Sequence, residues 1–234
     1  MGYERMNRLL IMEQCRELTH KYINLTVEVF SDESVVVSGD FLMQGEYKNI
    51  PLADNYSIRM IIPSNYPDEL PTVYDESNKI PAEFEHKYSD CSLCLGIYGE
   101  LMEKFSTNPT LLGFFDTAVI EYYYSVCFFS RFGDYPYGER SHGYLGVLEF
   151  YKERLSAKSI QIAFILLNYI VNPGKFQLRG HHRCPCGSNE RIRDCHGPTI
   201  FKIREDARLM NFFMHDYTTL VKYFDKSYKQ RAFN

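Results

Sequence analysis

A cysteine in an irregular stretch of the chain is the first candidate for chemistry. Cys94 lies in the run SLCLG of residues 92–96, where neither helical nor strand periodicity is present. A cysteine in a loop can be reached by a partner protein, and its thiolate form attacks carbonyl carbons. Gly96 permits close approach of another backbone, and the flanking leucines anchor the segment. On these residues alone Cys94 is a candidate nucleophile, and the alternative of a buried, inert cysteine stays open. Cys91 is either a second thiol or a disulfide-prone neighbour.

A second group of side chains has the composition of a zinc site. The four candidate ligands lie within residues 184–196 and are Cys184, Cys186, Cys195 and His196. Three sulfurs and one imidazole complete a tetrahedral zinc site and leave no position for water, which is typical of structural zinc. Gly187 can take the left-handed conformation at the turn between the ligands. His181 and His182 could each replace the imidazole of residue 196, so the fourth ligand is left open.

Two alternatives to structural zinc are weaker. A redox pair at Cys184 and Cys186 leaves Cys195 and His196 unexplained, and a catalytic zinc requires an open coordination position. The segment around the cluster is rich in basic residues, namely Lys175, Arg179, Arg183, Arg191, Arg193, Lys202 and Arg204. We interpret them as a solvated basic rim in preference to a surface for nucleic acid or an acidic partner.

The remaining cysteines and the aromatic runs are assigned to the core. Cys15 and Cys127 lie in helical patterns among apolar or aromatic neighbours. The tyrosines at 122–124 and the phenylalanines at 128–129 are likewise attributed to packing.

The elements that must hold these groups follow from periodicity. Helical spacing over residues 5–21 is followed by alternating segments at 24–30, 34–43 and 56–62 and a short strand at 72–74. A turn is expected at 31–33 and a polar loop at 44–55. One helix followed by a four-stranded antiparallel meander is therefore predicted.

The second half of the chain is predicted to be helical. Residues 76–108 are expected to be irregular, and a helix over 110–132 follows, with Asn108 as its N-cap and Pro109 at its first position. Further helices are predicted at 144–155, 157–171 and 206–224. The fold class is therefore α+β, with a helical extension.

Composition favours a cytoplasmic protein without membrane segments. The chain has 234 residues and a net charge of -4, which gives no global attraction to nucleic acid or anionic membranes, so neither is expected as a partner. No secretory signal is visible, and the most apolar stretch, 160–171, is too short to span a bilayer. In that compartment the seven cysteines are expected to stay reduced.

One pattern in the first half resembles the catalytic core of ubiquitin-conjugating enzymes. It consists of Tyr-Pro at 66–67, Leu-Pro at 70–71 and Cys-Leu at 94–95. The resemblance implies that Cys94 carries a modifier protein as a thioester. Where that family has His-Pro-Asn, this chain has EHKY at 85–88, so the histidine is retained at His86 and the asparagine is missing. Oxyanion stabilisation would then come from backbone amides near the cysteine or from another side chain, and His86 is not assigned as a base.

The divergent pattern is most similar to bacterial ubiquitin-conjugating-like proteins of antiphage operons. In those CBASS systems the modifier is the C-terminus of a cGAS-like nucleotidyltransferase, which the resemblance implies as the partner. The resemblance covers residues 1–155, which are the predicted catalytic domain. Residues 156–234 are predicted to form a helical extension, in which residues 181–197 resemble the SEC-C zinc motif known from the bacterial preprotein translocase motor.

The sequence therefore predicts a ubiquitin-conjugating-like cysteine transferase with structural zinc, acting in antiviral defence. Two alternatives stay open. A non-catalytic module of the same fold would only dock a partner's tail, and a cysteine hydrolase would remove such conjugates. No nucleotide-binding loop is visible, so the chain is not expected to activate its own substrate.

Overall fold

Alternating apolar residues in the first third of the chain form a four-stranded antiparallel sheet in sequential order. The strands are β1 (Leu25–Val29), β2 (Val35–Tyr47), β3 (Ile50–Ile62) and β4 (Thr72–Asp75). The computed structural model describes residues 2–30, 34–81, 83–138 and 140–232. The turn predicted at 31–33 lies outside the described residues. The predicted mixed fold, with an N-terminal helix before a four-stranded meander, is confirmed.

The polar loop predicted at residues 44–55 is wrong. β2 and β3 continue through this segment and pair from Val35 opposite Ile62 to Tyr47 opposite Ile50. Only Lys48 and Asn49 form the turn, both with positive φ, at 50° and 62°. Two successive left-handed residues make the tight hairpin turn whose twist matches that of the strands. Polar residues filled the solvent-facing positions of this hairpin, and so they hid its strands from the sequence pattern.

Eight α-helices occur in the described residues. They are α1 (Gly2–Lys21), α2 (Tyr98–Thr107), α3 (Leu111–Phe114), α4 (Ile120–Phe132), α5 (Tyr144–Arg154), α6 (Ile160–Val171), α7 (Gly197–Glu205) and α8 (Ala207–Ala232). A π-helical turn, Phe115–Val119, joins α3 to α4, and a short 3-10 turn spans Ile192–Asp194.

The long predicted helix at 110–132 corresponds to α3, the π-helical turn and α4. Its predicted N-cap is wrong by two residues, because Thr110 accepts the hydrogen bond from the N–H of Gly113 at 2.9 Å. Asn108 lies before the helix, where its carbonyl accepts the N–H of Thr110 at 2.8 Å. The predicted stop is confirmed, since Gly133 ends α4 in the left-handed region with φ 68°.

Two helices were missed by the sequence analysis. α2 lies in the segment predicted to be irregular, and α7 follows the candidate metal ligands. Each is short, and each has a glycine in its first two residues, Gly99 in α2 and Gly197 in α7, which lowers intrinsic helix propensity. Burial of Met102 and Phe105 in α2 and of Ile200 and Ile203 in α7 stabilises them instead.

The chain divides into two compact units. Unit 1 comprises residues 1–96 and 101–139, and unit 2 comprises residues 97–100 and 140–234. α5 belongs to unit 2, although the sequence-based division grouped it with residues 1–155. The division of function at residues 155 and 156 stays a prediction. In the described part of the chain, no helix is both long and apolar enough to cross a membrane.

The core of unit 1 is aromatic and lies between the sheet and the helices. α4 packs on β2 and β3, and α1 packs on α3. The rings of Phe41, Tyr56, Phe115 and Tyr123 are in mutual edge or tilted contact, and all four are buried. Such pairs add a favourable quadrupole interaction to the burial of apolar surface. The sheet therefore has a rigid inner face.

Unit 2 has its own apolar core. α6 contributes its buried face and packs against α5, α7 and α8. Cys184, Cys186 and Ile192 belong to this same core. The segment that carries the candidate metal ligands is therefore anchored on the helices of unit 2.

A buried amide in α1 joins three segments of unit 1. The side-chain oxygen of Gln14 accepts the O–H of Tyr66 at 2.7 Å and the N–H of Leu111 at 2.9 Å. Tyr66 precedes a cis peptide bond to Pro67, and Leu111 begins α3. Gln14 therefore links α1 to the loop after β3 and to the first turn of α3.

We predict that Gln14→Met lowers the free energy of unfolding by about 2–4 kcal/mol, because two buried donors lose their acceptor while side-chain volume is kept. Urea unfolding checks this. Gln44→Met, at an exposed position, is the matched control and should change stability by less than about 0.5 kcal/mol. Equal stability of the two variants would show that the Gln14 bonds contribute nothing.

Candidate functional site

Cys94 lies on the loop between β4 and α2, and this loop is tied to the edge of the sheet. The N–H of Leu93 donates to the carbonyl of Val73 in β4 at 2.8 Å, and Ser92 forms a single antiparallel bridge with Tyr74. Ser92 and Leu93 are buried, whereas Cys94 is partly exposed. The residues before the thiol are therefore fixed on β4, and the thiol itself is accessible.

A second contact fixes the backbone of Cys94 itself. Its N–H donates to the carbonyl of His86 at 3.0 Å, and the O–H of Tyr122 donates to the same carbonyl at 2.9 Å. Lys87 also bridges Leu93. Burial raises the pKa of Tyr122, and the nearby Asp75 and Cys94 raise it further, so its hydroxyl remains a proton donor. One carbonyl thus connects α4 to the candidate nucleophile.

A tight turn precedes the candidate nucleophile. The carboxylate of Asp90 accepts the N–H of Ser92 at 3.0 Å and its O–H at 2.6 Å, and these bonds lower the pKa of Asp90. The N–H of Tyr88 donates to the carbonyl of Ser92 at 2.8 Å, which closes the turn. Cys91 sits at its tip, exposed and with φ 67°. A left-handed, non-glycine residue is held there by the hydrogen bonds around it.

Three consecutive tyrosines of α4 hold three different parts of unit 1. Tyr122 binds the His86 carbonyl, Tyr123 donates to the carboxylate of Asp75 at 2.9 Å, and Tyr124 donates to the carbonyl of Ile50 at 2.8 Å. All three rings are buried, as the sequence predicted. Their hydroxyl bonds were not predicted. A run of tyrosines in place of phenylalanines was the available signal, because a buried hydroxyl requires a partner.

The imidazole of His86 packs against aromatic rings. Its ring centre lies 5.1 Å from that of Phe84 and 5.3 Å from that of Tyr135. The N–H of Cys94 already donates to a carbonyl, so a donor for an oxyanion must come from a different group.

The four predicted metal ligands come together in unit 2. All four ligand atoms of Cys184, Cys186, Cys195 and His196 lie within 4.8 Å of one another. The Nδ1 atom of His196 is 3.3 Å from the sulfur of Cys184 and 3.0 Å from that of Cys195. The sulfurs of Cys186 and Cys195 are 3.6 Å apart. The cluster could hold a metal ion, and His196 supplies its imidazole.

These distances match a tetrahedral ligand set. With metal–sulfur and metal–nitrogen bonds of about 2.3 and 2.0 Å, neighbouring ligand atoms of a tetrahedron lie about 3.5–3.8 Å apart. The three separations given above, 3.0, 3.3 and 3.6 Å, are within about half an ångström of this range, and the full set stays within 4.8 Å. The predicted left-handed turn is present at Gly187, where φ is 78°.

A short hairpin builds the cluster. The N–H groups of Cys184, Ile192 and Arg193 donate to the carbonyls of Glu190, His182 and Gly180 respectively. Cys184 and Ile192 are buried in the core of unit 2. The ligands Cys184 and Cys186 therefore lie on the hairpin, and Cys195 and His196 follow it, immediately before α7.

A buried carboxylate in α8 was missed by the sequence analysis. Asp216 accepts the O–H of Tyr151 at 2.9 Å and the N–H of Gly99 at 3.1 Å on one oxygen. Its other oxygen lies 3.2 Å from Nδ1 of His215, whose ring is tilted by 37° against that of Tyr98 with the ring centres 4.0 Å apart. The only sequence signal was a single acidic residue among aromatic and apolar neighbours. Within unit 2, this network ties the first turn of α2 to α5 and α8.

The other two cysteines are core residues, as predicted. Cys15 and Cys127 are buried, and burial raises the pKa of the Cys15 thiol to about 12. Neither is suited to nucleophilic chemistry.

Comparisons with protein-family models, with curated proteins and with solved structures find no match to this chain. The geometry of its own residues is therefore the basis for assigning its function.

We predict that the purified chain binds one divalent metal ion and that Cys186→Ser with Cys195→Ser abolishes this binding, because only two ligands remain. Native mass spectrometry of protein prepared without chelators measures the stoichiometry. Cys91→Ser, at an exposed position, is the control and should keep the ion. Retention of the ion by the double variant would rule out this ligand set.

Proposed function

We propose that the chain is a cysteine acyltransferase of the ubiquitin-conjugating type, with the sulfur of Cys94 as the carrier of the acyl group. The observation that supports it best is a partly exposed thiol whose backbone is fixed by β4 before it and by the His86 carbonyl at Cys94 itself. A fixed nucleophile on an otherwise irregular loop reduces the entropy lost in reaching the transition state. A purely structural cysteine does not need such exposure.

The proposed reaction has two steps. The Cys94 thiolate attacks the activated C-terminal carbonyl of a modifier protein, forming a C–S bond and releasing the thiolate or phosphate ester that had activated it. An acceptor amine then attacks the thioester, forming a C–N bond, losing its proton to solvent and regenerating the Cys94 thiolate. The donor must arrive already activated, because the sequence has no nucleotide-binding loop.

Tyr122 has a positioning role in this proposal. Its hydroxyl holds the His86 carbonyl, which in turn holds the Cys94 amide. The family's asparagine is missing, so fixation of the loop by α4 supports the orientation that the lost motif would otherwise help to provide. Tyr122 does not contact the substrate in this scheme.

The ion of the cluster is proposed to be structural zinc. Three thiolates and one imidazole form a closed set of soft and borderline ligands, which favours zinc and leaves no position for a reacting water. Cys184 and Cys186 are buried residues of the hairpin itself, so the ion would stabilise the fold of this segment.

The proposed partner is the C-terminus of a cGAS-like nucleotidyltransferase, in antiviral defence. This part of the proposal is supported by the resemblance to the ubiquitin-conjugating-like proteins of CBASS operons. A docking module without catalysis predicts binding and no acyl transfer, and a hydrolase predicts transfer to water.

We predict that Cys94 accepts an acyl group from a synthetic peptide whose C-terminal glycine is a benzyl thioester, because Cys94 is partly exposed and its backbone is fixed. Intact-mass spectrometry should show one peptide per chain, and neutral hydroxylamine should remove it. Cys94→Ala should abolish the adduct.

Cys91→Ala is the matched control, since Cys91 lies three residues away and is more exposed than Cys94. It should keep at least about half of the adduct. An adduct that persists in Cys94→Ala and disappears in Cys91→Ala would show that Cys91, and not Cys94, is the reactive thiol.

We also predict that Tyr122→Phe lowers the rate of this transfer about tenfold, since the loop that carries Cys94 loses one fixing bond. Tyr124→Phe loses an equivalent hydroxyl bond, to Ile50, and is expected to keep the normal rate. Each substitution should cost about 1 kcal/mol of stability, measured by urea unfolding. Equal transfer rates for the two variants would show that Tyr122 has no positioning role.

A further inference from the structure

The charge of the chain is divided unequally between its two units. Unit 2 has 16 Lys and Arg against 9 Asp and Glu, a net charge of +7. Unit 1 has 10 against 21, a net charge of -11. The expectation that nucleic acid is not a partner rested on the total of -4, which hides this division. A basic unit and an acidic unit in the same chain indicate a separate anionic partner for the basic unit.

The exposed cations of unit 2 are concentrated on the hairpin at the candidate metal cluster. We call residues 179–193 the basic hairpin, and its exposed cations are Arg179, Arg183, Arg191 and Arg193. Arg183 and Arg191 are opposite each other in an antiparallel bridge. Like charges at directly opposed positions destabilise a pair of strands. The arrangement is therefore unfavourable for folding alone and favourable for binding an anion.

The acidic groups nearby do not cancel this charge. Glu190 is the one acidic residue of the basic hairpin, and Asp194 follows it and lies 3.6 Å from the guanidinium of Arg193. A divalent ion held by three thiolates adds a net charge of about -1, at the partly buried centre of the cluster. Arg204 is not part of the surface, because it is half-buried and its guanidinium donates to the carbonyls of Ile170 and Phe176. The guanidinium of Arg183 also donates to one carbonyl, that of Asn189, but Arg183 is exposed and a guanidinium has further N–H donors for an anion.

The chemistry of the basic hairpin fits phosphate better than a protein surface. All of its cations are arginines, whose planar guanidinium matches phosphate oxygens in pairs. Its apolar side chains are turned inward: Cys184, Cys186 and Ile192 are buried, and Pro185 is half-buried. Protein interfaces have an apolar centre with anchoring side chains, whereas nucleic-acid interfaces are polar and positively charged.

We propose that the basic hairpin binds the phosphodiester backbone of nucleic acid, in addition to the acyl-transfer function. In this proposal the candidate metal cluster fixes the backbone of the hairpin. The arginines of the hairpin therefore keep constant positions relative to one another. Lys175, exposed just before the hairpin, extends the same surface. Contacts to the phosphodiester backbone carry no information about base sequence, so binding is expected to be independent of sequence.

The test is fluorescence anisotropy with a labelled 30-nucleotide oligothymidine and a labelled 30-base-pair duplex, at several salt concentrations, using the full chain. Each phosphate contact contributes about 0.7 to the salt slope for a single strand and about 0.9 for a duplex. Four arginines therefore predict a slope of about -3 to -4. The two probes show whether single or double strands are preferred, and either result supports the proposal.

The decisive comparison uses two variants of equal net charge. Arg183→Gln, Arg191→Gln and Arg193→Gln together should weaken binding at least about tenfold and reduce the slope by about 2–3. Lys152→Gln, Lys158→Gln and Lys222→Gln together remove three exposed cations of unit 2 outside the hairpin, and affinity should change less than about threefold. Equal losses in the two variants would overturn the proposal.

A measurement on the wild-type chain does not depend on how the variants fold. Poly-glutamate, at the same number of charges as the oligothymidine, should fail to displace it, because a carboxylate polymer lacks the phosphate geometry. Displacement at equal charge would identify the surface as a site for an acidic protein. Absence of any binding at about 50 mM salt, where phosphate contacts are strongest, would also overturn the proposal.

Discussion

The candidate active site depends on the two hydrogen bonds that the carbonyl oxygen of His86 accepts. It accepts hydrogen bonds from the amide of Cys94 and the hydroxyl of Tyr122, so an irregular loop is held by helix α4 of unit 1. The hydroxyls of the next two tyrosines of α4 donate hydrogen bonds in the same way, to Asp75 and Ile50. Helix α4 thereby fixes the loop, the end of β4 and the hairpin of β2 and β3. The loop does not need regular secondary structure of its own, because these bonds supply its order.

The hairpin of unit 2 also needs contacts beyond its own backbone to hold it in place, and these contacts are of a different chemical kind. This hairpin is short and highly charged, and so it buries only a few apolar residues. A metal ion held by Cys184, Cys186, Cys195 and His196 would replace the core that such a segment cannot build. In both units a candidate functional segment with little regular structure would therefore be fixed by a few directional contacts. The two units differ in charge as well, which suits them to different partners.

The sequence predicted those features that depend on local pattern. Alternation of apolar residues located the meander, and the spacing of three cysteines and one histidine in 184–196 located the cluster. Errors arose where tertiary contacts override local signals. The hairpin at 44–55 is polar on its open face, and α2 has a glycine in its first turn and is stabilised by burial.

The hydrogen bonds of Gln14, Tyr122 and Asp216 join residues far apart in the chain, and no single-sequence pattern encodes such partners. Acyl transfer and zinc stay predictions, since they concern molecules outside the chain.

Acyl transfer through Cys94 is tested most directly by an oxygen-for-sulfur exchange at the nucleophile. Cys94→Ser, expressed together with the products of the neighbouring genes, should accumulate an ester between the introduced hydroxyl and the C-terminus of a partner protein, because an oxyester is aminolysed far more slowly than a thioester. Peptide mapping by mass spectrometry identifies the two residues joined. An ester at position 94 that resists thiol reductants, with no conjugate in Cys94→Ala, is the predicted result. Conjugates that form equally in Cys94→Ala, with nothing attached to position 94 in the serine variant, would contradict it.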